Sequence, residues 1–342
     1  MIAHTYGVKF VAMDMNNSNG STQETSGCRR VSQFAESSDV VILLLVVFGV
    51  CGNILSYITF SIRRPPTLAT VYLKALAMAD ISFLLSSLVW LFLKHIPSLD
   101  NQTIKSIIAL VIYGGFADIA QFTSVWITVL LAFSRFLAIY KPFFVKTHMV
   151  TKTIRKSVIT VVVMACIIVA ARMWMVIEKE VKTYTNETHC IFCPDYGVRQ
   201  TQIIESCFYG GLLFLLPALL LAVFSGSLLV NLKRSYTRWC HPNLQQEYRD
   251  VGKTVLVIVL VFLLTYAPYG LWALTYLNPH LYYYFGTYYY CDALLLDEYV
   301  GLAGYLNSSV NFLIYMACKA SFRESFSQLC CKRPTPCALC DG

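Results

Sequence analysis

The chain has 342 residues, of which 57% are hydrophobic and only 13% charged. That balance excludes an ordinary soluble domain, where about a quarter of residues are charged. The formal net charge of +8 would suit a nucleic-acid surface, but its placement along the chain points to membrane topology instead.

The opening segment, residues 1–38, lacks the apolar core of a secretory signal peptide and reads as largely disordered and extracellular. Apolar stretches follow at 40–62, 70–93, 104–140, 154–177, 203–232, 251–277 and 294–318. Each is near or above the roughly 20 residues that cross a hydrocarbon core as a helix, and none alternates like a barrel strand. The third is longer than a membrane needs, so it should tilt or project. Residues 39–318 therefore form one membrane domain, and 319–342 a short surface helix and tail. The expected fold is all-α, a seven-transmembrane helix bundle.

Charge orients the bundle. Arg63, Arg64, Lys141, Lys146, Lys152, Arg155, Lys156, Lys233, Arg234, Lys332 and Arg333 fall on alternate connections and the tail. The positive-inside rule makes those segments cytoplasmic, which leaves the N-terminus outside and the C-terminus inside, as in a multi-pass plasma-membrane protein. Asn16, Asn19, Asn101 and Asn186 each begin an Asn-x-Ser/Thr triplet, and all four lie in segments read as extracellular, where glycosylation takes place. Of 13 cysteines, Cys28, Cys190, Cys193 and Cys291 lie outside, where disulfides persist, and their pairing stays open. Cys330 and Cys331 follow an amphipathic stretch after the last span and suit lipidation.

Polar residues inside the spans carry most of the information, because an ionisable group at membrane depth costs about 2.5–3.5 kcal/mol on insertion scales. In order they are Asn53, Asp80, Ser124, Arg135, Asn307, Asn311 and Tyr315, with Pro217 and Pro268 in the fifth and sixth spans. Asp118, Gln121, Phe122 and Val125 share helical spacing on the third, which makes them candidate ligand contacts. Two partners are open for Asp118: a basic group on a ligand, or Arg172 of the fourth span. Glu205 and Asp297 at helix tops are secondary ligand candidates. The aromatic run from Tyr282 to Tyr290 suits interfacial anchoring or contact with a basic, aromatic peptide.

These residues, with Leu76-Ala77-Met78-Ala79-Asp80, Ser134-Arg135-Phe136 and Asn307-Ser308-Ser309-Val310-Asn311-Phe312-Leu313-Ile314-Tyr315, resemble the rhodopsin-like G-protein-coupled receptors over roughly residues 40–328. Within that family the nearest likeness is to invertebrate neuropeptide receptors of the FMRFamide type. The resemblance implies an extracellular ligand, most naturally an RFamide-like neuropeptide, and a heterotrimeric G protein as partner. It implies that Arg135, Phe262, Pro268, Asn311 and Tyr315 serve activation and coupling, and that Tyr266 floors the ligand pocket. It further implies a mid-membrane sodium ion at Asp80, Ser124, Asn307 and Asn311, a donor set of one carboxylate and neutral oxygens. No other cofactor is implied.

The sequence also departs from that pattern. Ser134 stands where the family has an acid, which removes a restraint on Arg135 and predicts basal activity. Phe312 replaces a proline, so the seventh helix should kink less. Ser225 stands where a tyrosine is common, and no cysteine lies near Leu110. A chemosensory or scavenging receptor with weak coupling is the alternative, and a transporter or channel a more distant one, for which no internal repeat speaks. No histidine lies within a hydrophobic core, and neither H-E-x-x-H nor G-x-S-x-G occurs, so an enzyme is not expected.

Overall fold

A computed structural model of the chain describes residues 22–62, 68–94, 111–185, 203–204, 206–235, 242–275 and 290–331, and every regular element among them is helical. Hydrocarbon offers no partner for backbone N–H and C=O groups, and a helix satisfies both within itself. The first span is Thr22–Ile62 and the second Leu68–Lys94. The third opens with π-helical winding at Ile112–Ala117 and continues as α-helix over Asp118–Tyr140. A short helix, Pro142–His148, leads to the fourth span, Thr151–Thr185. The fifth joins a π-helical stretch, Ser206–Leu215, to an α-helix, Leu216–Ser235. The sixth is Pro242–Thr275, and the seventh comprises Tyr290–Ser309 and Asn311–Cys318. Ala320–Cys331 is the expected surface helix.

Five of these helices are long and apolar enough to cross a membrane by themselves, and the sixth span contributes a shorter apolar run, Gly252–Pro268. The first helix starts at Thr22, inside the segment 1–38 expected to be largely disordered. No proline interrupts the chain between Thr22 and Ile62, so nothing in the backbone forces the helix to stop at the membrane surface.

The third span is the axis of the bundle. Its apolar window is 72% buried, against 17% for the fourth, so the third packs on all sides while the fourth faces mostly lipid. It touches the second, fourth, fifth and sixth spans, and the first span packs between the second and seventh. Glycines set that last contact. A Cβ on Gly49 would lie 2.5 Å from Ser309 Oγ and 2.7 Å from Leu84, and one on Gly52 would lie 2.9 Å from Phe312 Cβ. Small residues let helices approach where no hydrophobic effect drives them together.

The seventh helix is interrupted at Val310 (φ −84°, ψ −8°), although Phe312, unlike proline, keeps its N–H. The cause lies in side chains that compete for the ladder. Asn53 Nδ2 donates to Ser308 O at 2.8 Å, and Ser309 Oγ donates to Tyr305 O at 2.7 Å and to Leu45 O at 2.9 Å. Such back-bonding bends helices. The expectation was that this helix should kink less without the proline; an interruption is present all the same, beside the bonds of Asn53 and Ser309.

Beyond the break, Phe322 of the surface helix is buried against the rings of Phe60 (5.0 Å) and Tyr315 (5.6 Å). Arg323 Nη1 donates to Met316 O (3.0 Å) and Ala317 O (3.2 Å), which satisfies the orphaned carbonyls at the end of the seventh span. Gly49→Val should force the first span off the seventh at a cost of about 1–3 kcal/mol. Thermal unfolding of the purified protein is expected to shift down for Gly49→Val and to stay unchanged for a substitution at lipid-facing Val47, which is 52% exposed.

Candidate functional site

Four polar layers lie on the third span, one below another. The first is built on Asp118. Its carboxylate is buried and forms an ion pair with Arg172 of the fourth span. Tyr209 of the fifth donates its hydroxyl to Oδ1 at 3.1 Å and Oδ2 at 3.0 Å. Arg172 Nη2 also donates to Gly114 O at 2.8 Å, and the guanidinium sits 4.9 Å from the Phe208 ring centroid and 5.5 Å from that of Tyr209. One carboxylate thereby ties together three spans. The pairing is the internal alternative that the sequence left open, and it neutralises both charges in a medium where neither could remain alone.

The first π-helical stretch ends at this layer, and the second passes through it at Tyr209. Gly114-Gly115 lies in the first and Gly210-Gly211 in the second. Glycine lowers the steric cost of non-α winding, and π turns favour functional sites. The wider turn also suits Pro217, two residues after the second stretch, because the carbonyl that would meet the ring of a proline in regular α-helix is displaced. Paired glycines inside apolar spans were the available signal for Tyr209 and Gly114, neither of which the sequence singled out.

One turn further down, Gln121 Nε2 donates to Tyr266 Oη at 3.1 Å, joining the third and sixth spans. Gln121 Oε1 is buried with no hydrogen-bond partner among the described residues, a situation that costs about 1–3 kcal/mol when nothing fills it. Tyr266 stacks on Phe262 at 4.7 Å and 22°. Phe122 turns the other way, against Phe208 (6.3 Å) and Trp126 (5.8 Å). The shared face inferred from spacing therefore divides. Positions i+3 and i+4 stand about 100° apart around a helix, enough to send Gln121 to the sixth span and Phe122 to the fifth.

The third layer surrounds Asp80, which is fully buried. Ser124 Oγ donates to Oδ1 at 2.7 Å and Asn311 Nδ2 to Oδ2 at 2.6 Å. Asn53 closes the layer through Gly49 O (2.9 Å) and Ser308 O. Three of the four expected ion ligands meet here. Asn307 instead receives Thr265 Oγ1 at 3.2 Å, facing the sixth span. The carboxylate and the Ser124 hydroxyl fit a hard cation; Asn311, in this orientation, presents an amide donor and would have to turn its oxygen inward.

The last layer holds Arg135, half-buried, and Tyr315, fully buried. Ser134 Oγ donates to Leu131 O at 2.7 Å, so its hydroxyl is spent on its own helix and not on Arg135. Tyr315 packs edge-on against Phe60 at 5.2 Å, and Lys319 Nζ lies 4.9 Å over the same ring. Pro268 lies inside the sixth helix, and two residues later Gly270 meets the fifth span so closely that a Cβ would lie 2.0 Å from the Phe214 ring.

Glu205, Cys190, Cys193, Asn16, Asn19, Asn101 and Asn186 lie outside the described residues. Asp297 falls on the helix Tyr290–Ser309, Cys28 on Thr22–Ile62 and Cys291 on Tyr290–Ser309. Cys330 is exposed on the surface helix that ends at Cys331.

Stacked apolar helices joined by buried polar layers define a multi-pass helical membrane protein. A profile of the 7 transmembrane receptor (rhodopsin family) matches residues 52–315, and the chain belongs to that family. It is a receptor of the signalling kind, not an enzyme. It is also similar to the C-C chemokine receptor type 1 of Homo sapiens, at 23% identity over 254 residues, which covers 72% of this chain and 67% of that one.

Removing one member of a buried ion pair costs about 3–5 kcal/mol, whereas replacing both is often close to neutral. Arg172→Gln alone is thus expected to deplete folded protein at the cell surface. Asp118→Asn with Arg172→Gln should recover most of it, as measured by surface labelling and thermal unfolding.

Proposed function

We propose that the chain is a plasma-membrane receptor, N-terminus outside and C-terminus in the cytoplasm, that responds to an extracellular peptide and activates a heterotrimeric G protein. The observation that carries this reading is the vertical order of the buried layers. The Gln121–Tyr266 bridge and the Tyr266–Phe262 stack lie above the Asp80 layer, and Arg135 and Tyr315 lie below it, all within a rhodopsin-family bundle. A ligand held between the upper layers would shift the equilibrium between two packings through its different affinity for them. The sixth span, with Pro268 inside it and Gly270 against Phe214, would be the moving part.

A peptide ligand is supported by the likeness to a receptor named for a chemokine, itself a polypeptide. RFamide-like neuropeptides are the first class to try, on the strength of the sequence motifs. Arg135 would meet the G protein, with Phe262, Pro268, Asn311 and Tyr315 transmitting the change. The basic connections support the orientation, in which Asn16, Asn19, Asn101 and Asn186 would be glycosylated outside and Cys330 and Cys331 lipidated inside. Asp80, Ser124 and Asn311, with Asn307 nearby, would hold a sodium ion that stabilises the resting packing.

Ser134 favours a second feature. It stands where the family has an acid and its hydroxyl is engaged within its own helix, so the adjacent residue supplies no charge to Arg135, and basal signalling should be measurable. A chemosensory or scavenging receptor would instead bind ligand without a G-protein response.

The test is a peptide screen on cells expressing the full chain with promiscuous G-protein reporters. A responding peptide should lose its signal in Arg135→Ala while its binding persists. Binding without signal in the wild type would favour the scavenging alternative. Replacing sodium by N-methylglucamine should raise agonist affinity by about fivefold or more in the wild type and leave Asp80→Asn unchanged.

A further inference from the structure

The fourth span has two distinct sides from its first turn onward. Ile154, Ala165, Val169 and Arg172 are buried against the bundle. Tyr72 Oη lies 3.1 Å from Ser157 Oγ, a contact that fixes the rotation of this helix against the second span. The opposite side carries Lys152, Arg155, Lys156, Ile159, Val163 and Ile167, all exposed, at i, i+3, i+4, i+7, i+11 and i+15. Ile154 is 1% exposed and Ile159 61%, so the stripe is one face of a docked helix rather than a loose end.

Depth divides this stripe into two parts. At 1.5 Å per residue the apolar span Thr151–Met175 is about 37 Å long, against about 30 Å of hydrocarbon. Long basic side chains reach for the headgroups, which places the excess length at the Thr151 end. Lys152, Arg155 and Lys156 then lie among lipid phosphates, and Ile159, Val163 and Ile167 among acyl chains. From Lys156 to Ile167 the helix rises about 16 Å, close to the depth of one leaflet. No Asp or Glu occurs between residues 119 and 177, so neither this span nor the connection before it offsets the three charges. Basic residues anywhere on that connection would orient the chain. Orientation alone does not call for three of them on the lipid-facing side, in line with an apolar stripe of leaflet length.

The geometry points to a binding site for an anionic phospholipid on the lipid-facing side of the fourth span. Lys152, Arg155 and Lys156 take the phosphorylated headgroup, and Ile159, Val163 and Ile167 take an acyl chain. The lipid comes from the leaflet at that end of the helix, the cytoplasmic one in the orientation proposed above. Affinity follows headgroup charge, at roughly fivefold for each basic residue engaged. The inference needs the helix to lie in a bilayer; it does not need the peptide ligand or the G protein.

The full-length protein in detergent would be mixed in turn with phosphatidylcholine, phosphatidylserine and phosphatidylinositol bisphosphate of matched acyl chains. Native mass spectrometry would count the lipids that stay bound. Occupancy should rise in that order, by about tenfold or more from the first to the last. Lys152→Gln, Arg155→Gln and Lys156→Gln together should remove the ranking. Lys253→Gln, at an exposed lysine of the sixth span, should leave it unchanged. Equal occupancy by all three lipids in the wild type would overturn the inference, as would a ranking that survives in the triple variant. Binding of water-soluble inositol trisphosphate as tightly as the bisphosphate lipid would also overturn it, because the apolar stripe would then contribute nothing. The wild-type ranking needs no variant to fold. Detergent offers lipid to both ends of the span, so neither the orientation nor any ligand response affects the outcome.

Discussion

A carboxylate in hydrocarbon cannot be left without a partner, and among the described residues this chain buries two of them, Asp118 and Asp80, at different levels of its bundle. Everything else is arranged around their neutralisation. Asp118 draws in the fourth span through Arg172 and the fifth through Tyr209; Asp80 draws in the third through Ser124 and the seventh through Asn311. Lipid supplies no hydrophobic drive to bring helices together, so these polar contacts and the glycine-lined approaches at Gly49 and Gly52 fix which helices touch and in what register.

The two carboxylates are solved differently, and the difference bears on mechanism. Asp118 meets a full opposite charge, two hydroxyl contacts and two aromatic faces around its partner, an arrangement that resists rearrangement. Asp80 meets only neutral groups, which can be exchanged for other neutral groups at small cost. The upper layer is thus held by an ion pair and the lower by neutral hydrogen bonds, with Gln121 and Tyr266 between them. The break at Val310 lies beside the lower layer, where Asn53 engages the Ser308 carbonyl from the first span and the Ser309 hydroxyl reaches back to Leu45 O.

Much of this was legible beforehand. Asp80, Ser124 and Asn311 come together as their order in the spans suggested, and Tyr266 stacks on Phe262. A helix also lies at Ala320–Cys331, within the segment 319–342. The shared face assigned to Gln121 and Phe122 was not reliable, because a spacing rule gives angular neighbourhood and leaves the choice of neighbouring helix undecided. A break persists at Val310 although Phe312 was expected to reduce the kink. Removing a proline restores a donor to the ladder, but the acceptor, Ser308 O, had been taken by a side chain 255 residues away.

The sequence by itself determined the number of spans, the residue types at membrane depth and the family, because hydropathy and intramembrane polarity are properties of composition along one dimension. Only the tertiary structure decided that Asp118 belongs to Arg172, that both π-wound stretches pass beside that pair, that Asn307 turns to Thr265, and that Gln121 reaches Tyr266. Those outcomes depend on which helices are adjacent and how each is rotated about its axis. Rotation is settled by packing many weak contacts at once, and a linear pattern of residues leaves it free by tens of degrees.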